Sequence, residues 1–194
     1  MVSIRFEENQ LRERLSVLPQ LAAVAFAATC AVRLENTARS LNANERANEP
    51  LSRSVEGVVA YLGNGFPFDT LAVEEELAVV MPDEDSSPGL TAAVVEDAAA
   101  AMIYTLRAIR EDDPQNVVWA ARRAYETADR EVLSALNVGS VGEFEEEYIL
   151  QHPVVQTELQ RQLRDLNAVF EVAGDVSVKL VAIVARARSE NILR

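Results

Sequence analysis

The chain has 194 residues, 49% of them apolar and 25% charged, with a formal net charge of −13. That composition excludes wholesale disorder, and the length suits one domain whose core needs no disulfide or metal staple. The charge argues against nucleic acid and anionic membranes as partners, since phosphates repel such a chain and no arginine cluster interleaved with aromatics makes a local exception.

Taken in order, residues 3–14 fit a short amphipathic helix carrying Ile4, Phe6 and Leu11. Pro19 opens a second helix that runs to about Arg39 and contains the uncharged apolar run 21–32. With Arg12 and Arg14 upstream, that run has a superficial likeness to a secretory leader. However, Glu7, Glu8 and Glu13 stand where a basic segment belongs, and Thr29 precedes Cys30 where a lipoprotein site prefers a smaller residue. Twelve residues also fall short of the roughly 20 a helix needs to span a bilayer. The run is expected to be a helix buried on nearly all sides. Cys30, the lone cysteine, cannot form an internal disulfide; set among alanine and valine, it reads as an inert buried thiol in a cytoplasmic protein.

Residues 42–50 read as a polar loop ending at Pro50, followed by a helix from about Ser52 to Leu62. Gly63-Asn64-Gly65-Phe66-Pro67 breaks the chain. Asp69 then caps a helix that ends near Met81-Pro82, with Phe68 and Val73 placed as a hydrophobic staple. Residues 82–89 form an acidic loop. The alanine-rich stretch 91–111 has Val94, Val95, Ala98, Met102, Leu106 and Ile109 at helical spacing. Asp113 and Pro114 open a helix reaching Leu136, and Ser140 with Glu143 matches a capping box for a short acidic helix to about His152. Pro153 starts the next, with the stripe Val155, Leu159, Leu163, Leu166, Phe170 and Ala173. Gly174 closes it, and Asp175 caps a last helix carrying Leu180, Ile183, Val184 and Ala187. No segment alternates with period two, so no sheet is expected. The expected fold is all-α: one domain over residues 1–194, about eight or nine mostly antiparallel helices around a buried Ala/Val-rich central helix at about 19–39.

Three stretches carry a resemblance. These are the run from Leu18-Pro19-Gln20-Leu21 through Arg33-Leu34, the helix 97–109 with Tyr104-Thr105-Leu106, and His152-Pro153-Val154-Val155-Gln156-Thr157-Glu158. Together they resemble the YjaG-like proteins, a bacterial all-helical family known as a domain of unknown function (DUF 416), with order and spacing matching from about Leu11 to Leu193. The ending Ser189-Glu190-Asn191-Ile192 is similar to the family's as well. The chain departs from the family after Leu34, where a Pro-Asn-Tyr-like turn gives way to Glu35-Asn36-Thr37-Ala38, which reads as more helix. The resemblance implies the fold and supplies no activity.

Enzyme chemistry finds little to work with. One histidine cannot build a His-rich zinc site or a pair of Glu-x-x-His motifs, and no glycine-rich phosphate loop is present. Gly139-Ser140-Val141-Gly142 lacks nucleophile-elbow spacing. A calcium loop starting at Asp83 would need glycine at Pro88 and glutamate at Val94. No cofactor or metal is therefore expected.

The candidate pocket or junction residues are Asp97, Tyr104, His152, Gln156 and Glu158. Asp97, on an apolar helix, is read either as a buried ion pair with Arg122, Arg123 or the second helix, or as a general base. His152 is read either as a cap or as a pH-sensitive or catalytic group beside Glu147 or Glu158. Tyr125 with Asp129, and Arg122, Glu126 and Arg130, have the spacing of surface pairs.

Charge is segregated: ten acids and no base lie between Arg53 and Arg107, and six acids between Arg130 and Arg161. Glu74, Glu75, Glu76, Asp83, Glu84 and Asp85 form the candidate acidic interaction surface. The leading functional reading is a non-catalytic helical protein that binds a basic protein partner through this surface. An immunity- or antitoxin-like inhibitor of a basic enzyme is a narrower form of it. A small-molecule binder or enzyme with an interhelical pocket near Asp97, Tyr104 and His152 is the third, and a homo-oligomer is compatible with all three.

Overall fold

The computed structural model describes residues 3–41, 45–81, 89–136, 143–172 and 176–193. Among them are nine helices and no strand: α1 (Glu8–Leu15), α2 (Gln20–Ser40), α3 (Glu45–Asn64), α4 (Thr70–Val80), α5 (Leu90–Arg110), α6 (Pro114–Leu136), α7 (Glu143–Gln151), α8 (Pro153–Phe170) and α9 (Val176–Ala187). The all-helical architecture expected from the periodicity is the one observed.

Helix α2 is the axis of the bundle. Every residue from 22 to 35 is buried, and the helix packs against α3, α5, α6, α8 and α9. Its closest association is with α5, also alanine-rich, where small side chains let two helices approach without losing contact. Gln20 fixes their antiparallel relation: its Nε2 donates to the Ala108 and Ile109 carbonyls at 3.0 and 3.2 Å, satisfying acceptors in the last turn of α5. The helix continues through Glu35-Asn36-Thr37-Ala38 without the turn seen in the family it resembles. No helix among the described residues is long and apolar enough to cross a membrane.

Several expected boundaries hold because their caps form. The Asp69 carboxylate accepts from Ala72 N at 3.0 Å, and that of Asp113 from Gln115 N at 2.9 Å. Gly65 ends α3 in the left-handed region (φ 63°), its N–H donating to the Tyr61 carbonyl at 2.8 Å. The expected roles of Ser140, Gly174 and Asp175 lie outside the described residues.

Three expectations need correction. Residues 3–7 are not helical, and α1 begins only at Glu8. The alternation of Ile4 and Phe6 belongs to a strap lying on the bundle, not to a helix face. Helix α3 starts at Glu45 and runs through Pro50, where a loop was expected. Ala47, Leu51, Val55, Val58 and Leu62 are all buried, so one apolar stripe crosses the proline and its burial outweighs the lost backbone bond. On α8 the buried stripe is Val155, Glu158, Leu159, Gln162, Asp165, Leu166 and Val169, leaving Leu163 and Phe170 partly exposed. Polar residues hold places in that stripe because they face a buried arginine.

Candidate functional site

The densest polar cluster lies inside the bundle, around Arg33 of α2. Its guanidinium is fully buried, with Nε and one terminal nitrogen both donating to Glu158 at 3.1 Å. The other terminal nitrogen donates to Asp165 at 2.5 Å and lies 3.5 Å from Glu190. Glu158 and Asp165 are two turns apart on α8 and so share a face. Asp165 also accepts from Arg164 and Arg186, at 2.9 and 2.6 Å, while Gln162 donates to Glu158 at 3.0 Å. Burial works against the charges, but Arg33 and Arg164 hold the Asp165 carboxyl below its ordinary range. Burial likewise opposes charge on Arg33, and the Glu158 and Asp165 carboxylates overcome it and hold the guanidinium above its usual value.

The C-terminal segment closes this cluster. Arg164 pairs with Glu190 at 2.8 Å, and Asn36 donates to the Glu190 carbonyl at 2.7 Å. Thr37 Oγ1 receives the Ile192 N–H at 3.0 Å. Cys30, one turn before Arg33, is fully buried, and that burial pushes its thiol up to about 12. With Arg33, Glu158 and Asp165 buried at its centre and Arg164 and Arg186 reaching it from the partly exposed rim, the cluster joins α2, α8 and the end of the chain.

The candidate pocket residues separate into local roles. Asp97 is 1% exposed and joins α5 to α6, accepting from Arg130 at 2.5 Å, Thr127 at 2.8 Å and Arg123 at 3.4 Å. Arg122 instead pairs with Glu8 and Glu126, so the expected surface row of Arg122, Glu126 and Arg130 loses its last member to Asp97. Tyr104 packs tilted against Trp119 at 5.2 Å. His152 caps α8, its Nδ1 accepting from Val154 N at 3.4 Å, and makes no ion pair with a carboxylate among the described residues. Helix α6 packs against both α5 and α8, and Asp97 and His152 make their hydrogen bonds within separate local groups.

Gln156 works as a clasp. Its amide accepts from Ile4 N at 2.9 Å and donates to Ile4 O at 2.9 Å, the exchange a strand neighbour would make. It also donates to Leu150 O at 2.7 Å. Phe6, two residues on, stacks on Tyr125 at 5.2 Å, while Arg5 pairs with Glu147 at 2.8 Å. Gln156→Ala should therefore free residues 3–7 without unfolding the bundle. Amide exchange at Ile4 is expected to rise to the rate of an open segment while α2 stays protected; unchanged protection at Ile4 would show that the clasp is not what holds the strap.

On the acidic surface, Glu74 leans inward, bonded to Arg107 at 2.6 Å and Arg110 at 2.5 Å. Partial burial opposes its charge, and the two arginines more than offset this, lowering its pKa. Glu76 pairs with Arg53 at 3.2 Å across exposed surface, and Glu75 is exposed with no ion pair among the described residues. Asp83, Glu84 and Asp85 lie outside the described residues. Around Glu75 the surface of α4 is apolar: Leu71 is 59% and Val79 84% exposed, and Ala72 and Ala78 are exposed too. Leu71, Glu75 and Val79 fall at i, i+4 and i+8, so they form one stripe along the helix. The sequence does not reveal this stripe, because Leu71 and Val79 have the apolar character of core residues; of α4 only Thr70 and Leu77 are buried.

No protein-family model and no curated protein matches the chain. A solved structure does: a DUF416 family protein from Shewanella baltica OS155 superposes with a TM-score of 0.77 over 93% of this chain and 95% of that one, at 18% identity. The chain has the DUF416 fold. This agrees with the resemblance read from the stretches around Leu21, Tyr104 and His152. At this identity the likeness speaks for the fold alone, so the function of this DUF416-fold chain has to be argued from its own residues. No group of three or more His, Cys, Asp or Glu residues that could hold a metal occurs among the described residues.

Proposed function

We propose that the protein is a non-catalytic helical binding protein, acting in the reducing cytoplasm, that docks a basic partner protein on α4. The observation that carries this reading is the exposed stripe Leu71–Glu75–Val79: two apolar anchors about 12 Å apart along the helix, at about 1.5 Å rise per residue, with a carboxylate between them. Single exposed apolar residues are ordinary, but here they share one face with Ala72 and Ala78. The complementary partner is an amphipathic segment with a Lys or Arg between two apolar side chains, so that Glu75 supplies register and the leucine and valine supply buried area. Glu76 is offset by its pair with the exposed Arg53, so the carboxylate of the stripe is that of Glu75, and the net charge of −13 steers cationic partners towards the protein. Glu74 takes no part, because its carboxylate is committed to Arg107 and Arg110.

The test uses the basic protein retained from native extract at low ionic strength, then purified. Glu75→Lys with Glu76→Lys should slow association roughly tenfold at low salt, and Leu71→Ser with Val79→Ser should speed dissociation. Both double variants should melt close to the parent, since exposed substitutions change stability by only about 0.5 kcal/mol. Unchanged rate constants in both variants would overturn the assignment.

A further inference from the structure

A second binding feature, independent of α4, lies beneath the strap. Residues 4–14, whose helix α1 packs on α6, leave a cleft of about 190 Å³ beside α8. Its floor is Phe26 of α2 with Leu159 and Leu166 of α8, all buried, and its walls are Ile4, Phe6 and Leu11. The cleft opens to solvent on one side, and its volume is comparable to the apolar cavity of about 150 Å³ that accommodates benzene. The strap does not fill the space itself, because its polar clasp to Gln156 fixes Ile4 by its backbone.

The charges at the mouth are asymmetric. Arg14 lines one end, bonded to the neutral Asn167 Oδ1 at 2.8 Å and lying 5.4 Å over the Phe170 ring; among the described residues no carboxylate pairs with it. Glu7 also lines the cleft, seven residues before Arg14 and so about 10 Å away along the α1 axis. Arg5, the other cation there, is engaged by Glu147. A ligand with a flat apolar body and one anionic end would be oriented by this pair, its charge towards Arg14 and away from Glu7.

We infer that the cleft between the strap and α8 is a binding site for a small aromatic carboxylate, with the ring on Phe26, Leu159 and Leu166 and the carboxylate on Arg14. Phenylpropionate, phenylpropionamide and phenethylamine share a ring and tail and differ in end group, so calorimetric titration of the whole protein with each separates the apolar contribution from the ionic one. Phenylpropionate is expected to bind with a Kd on the order of 0.1–1 mM, the amide roughly tenfold more weakly and the amine more weakly still. Methyl resonances of Leu159 and Leu166 should shift on binding. Arg14→Gln should bring the acid down to the level of the amide, and Leu163→Trp, which fills the cleft from its rim, should abolish binding of both. Equal affinity for acid and amide in the parent would overturn the anion assignment. Absence of binding by all three, or binding that survives Leu163→Trp in a protein with parental circular dichroism, would overturn the site.

Discussion

Replacing Arg33 by methionine is expected to destabilise the protein by about 3–5 kcal/mol, the range found when one partner of a buried ion pair is removed. The effect comes from what remains. Asp165 keeps Arg164 and Arg186, but Glu158, fully buried, is left with Gln162 as its hydrogen-bond partner. Against a typical total of about 5–15 kcal/mol, the loss corresponds to roughly 6–20 °C in Tm for a chain of this size. Arg33→Lys should recover little, because an ammonium cannot reproduce the two parallel bonds to Glu158 together with the bond to Asp165.

Adding Glu158→Met to Arg33→Met removes the orphaned charge and should restore most of the stability. The same cluster sets the acid response. Asp165 has its folded pKa below the ordinary 3.8, so between those two values the unfolded chain binds more protons. Its contribution is complete above about pH 5 and is lost as the pH falls through the folded pKa. In Arg33→Met that acid-sensitive part should shrink. Thermal melts from pH 7 to pH 3 check both points. An Arg33→Met protein that melts within 2 °C of the parent, at roughly 2–4 °C per kcal/mol, would mean that the cluster contributes little.

The second large effect is expected at the bundle axis. Ala28 is 1% exposed and Val24 is fully buried on the helix that contacts five others. Arginine at position 28 has to bury an unpaired cation or push α2 away from its neighbours, and either course costs several kcal/mol. Ala28→Arg should therefore yield insoluble protein, or a chain without a cooperative melt. Ala28→Gly, which adds no charge or volume, should fold with a loss nearer 1 kcal/mol from helix propensity and lost contact. A soluble Ala28→Arg protein with a sharp transition would count against this placement of α2.

These two sites show how differently the fold and the polar cluster can be read from sequence. The burial of residues 21–32 is written locally, since an uncharged run after Pro19 leaves no polar face for water. Asp97 was legible for a related reason: a carboxylate between valines and alanines on a long helix needs a cation, and one of the arginines considered, Arg123, lies beside it. Arg33, by contrast, sits 125 residues from Glu158 and 132 from Asp165, and nothing in the local pattern of either helix names the other. The clue was that Glu158, Gln162 and Asp165 occupy the spacing of a buried stripe, which is costly unless a cation waits opposite.

Pro50 misled in the opposite direction. As a local breaker it argued for a loop, and the tertiary burial of Leu51, Val55 and Leu62 overrode it. Glu74 was grouped with Glu75 and Glu76 because Arg107 and Arg110, its partners, lie 33 and 36 residues further on.

The proposed docking role of α4 is tested most directly by position-specific photo-cross-linking in the native cell. A benzophenone side chain placed at Leu71 or Val79 should give an adduct with one basic protein. The same group at Val178, whose exposure on α9 lies between those of Leu71 and Val79, should not. The adducts at positions 71 and 79 should disappear when Glu75→Lys is added, because the carboxylate between the two anchors sets the partner's register. Adducts of equal yield at all three positions, or none at positions 71 and 79 from a folded protein, would contradict the account.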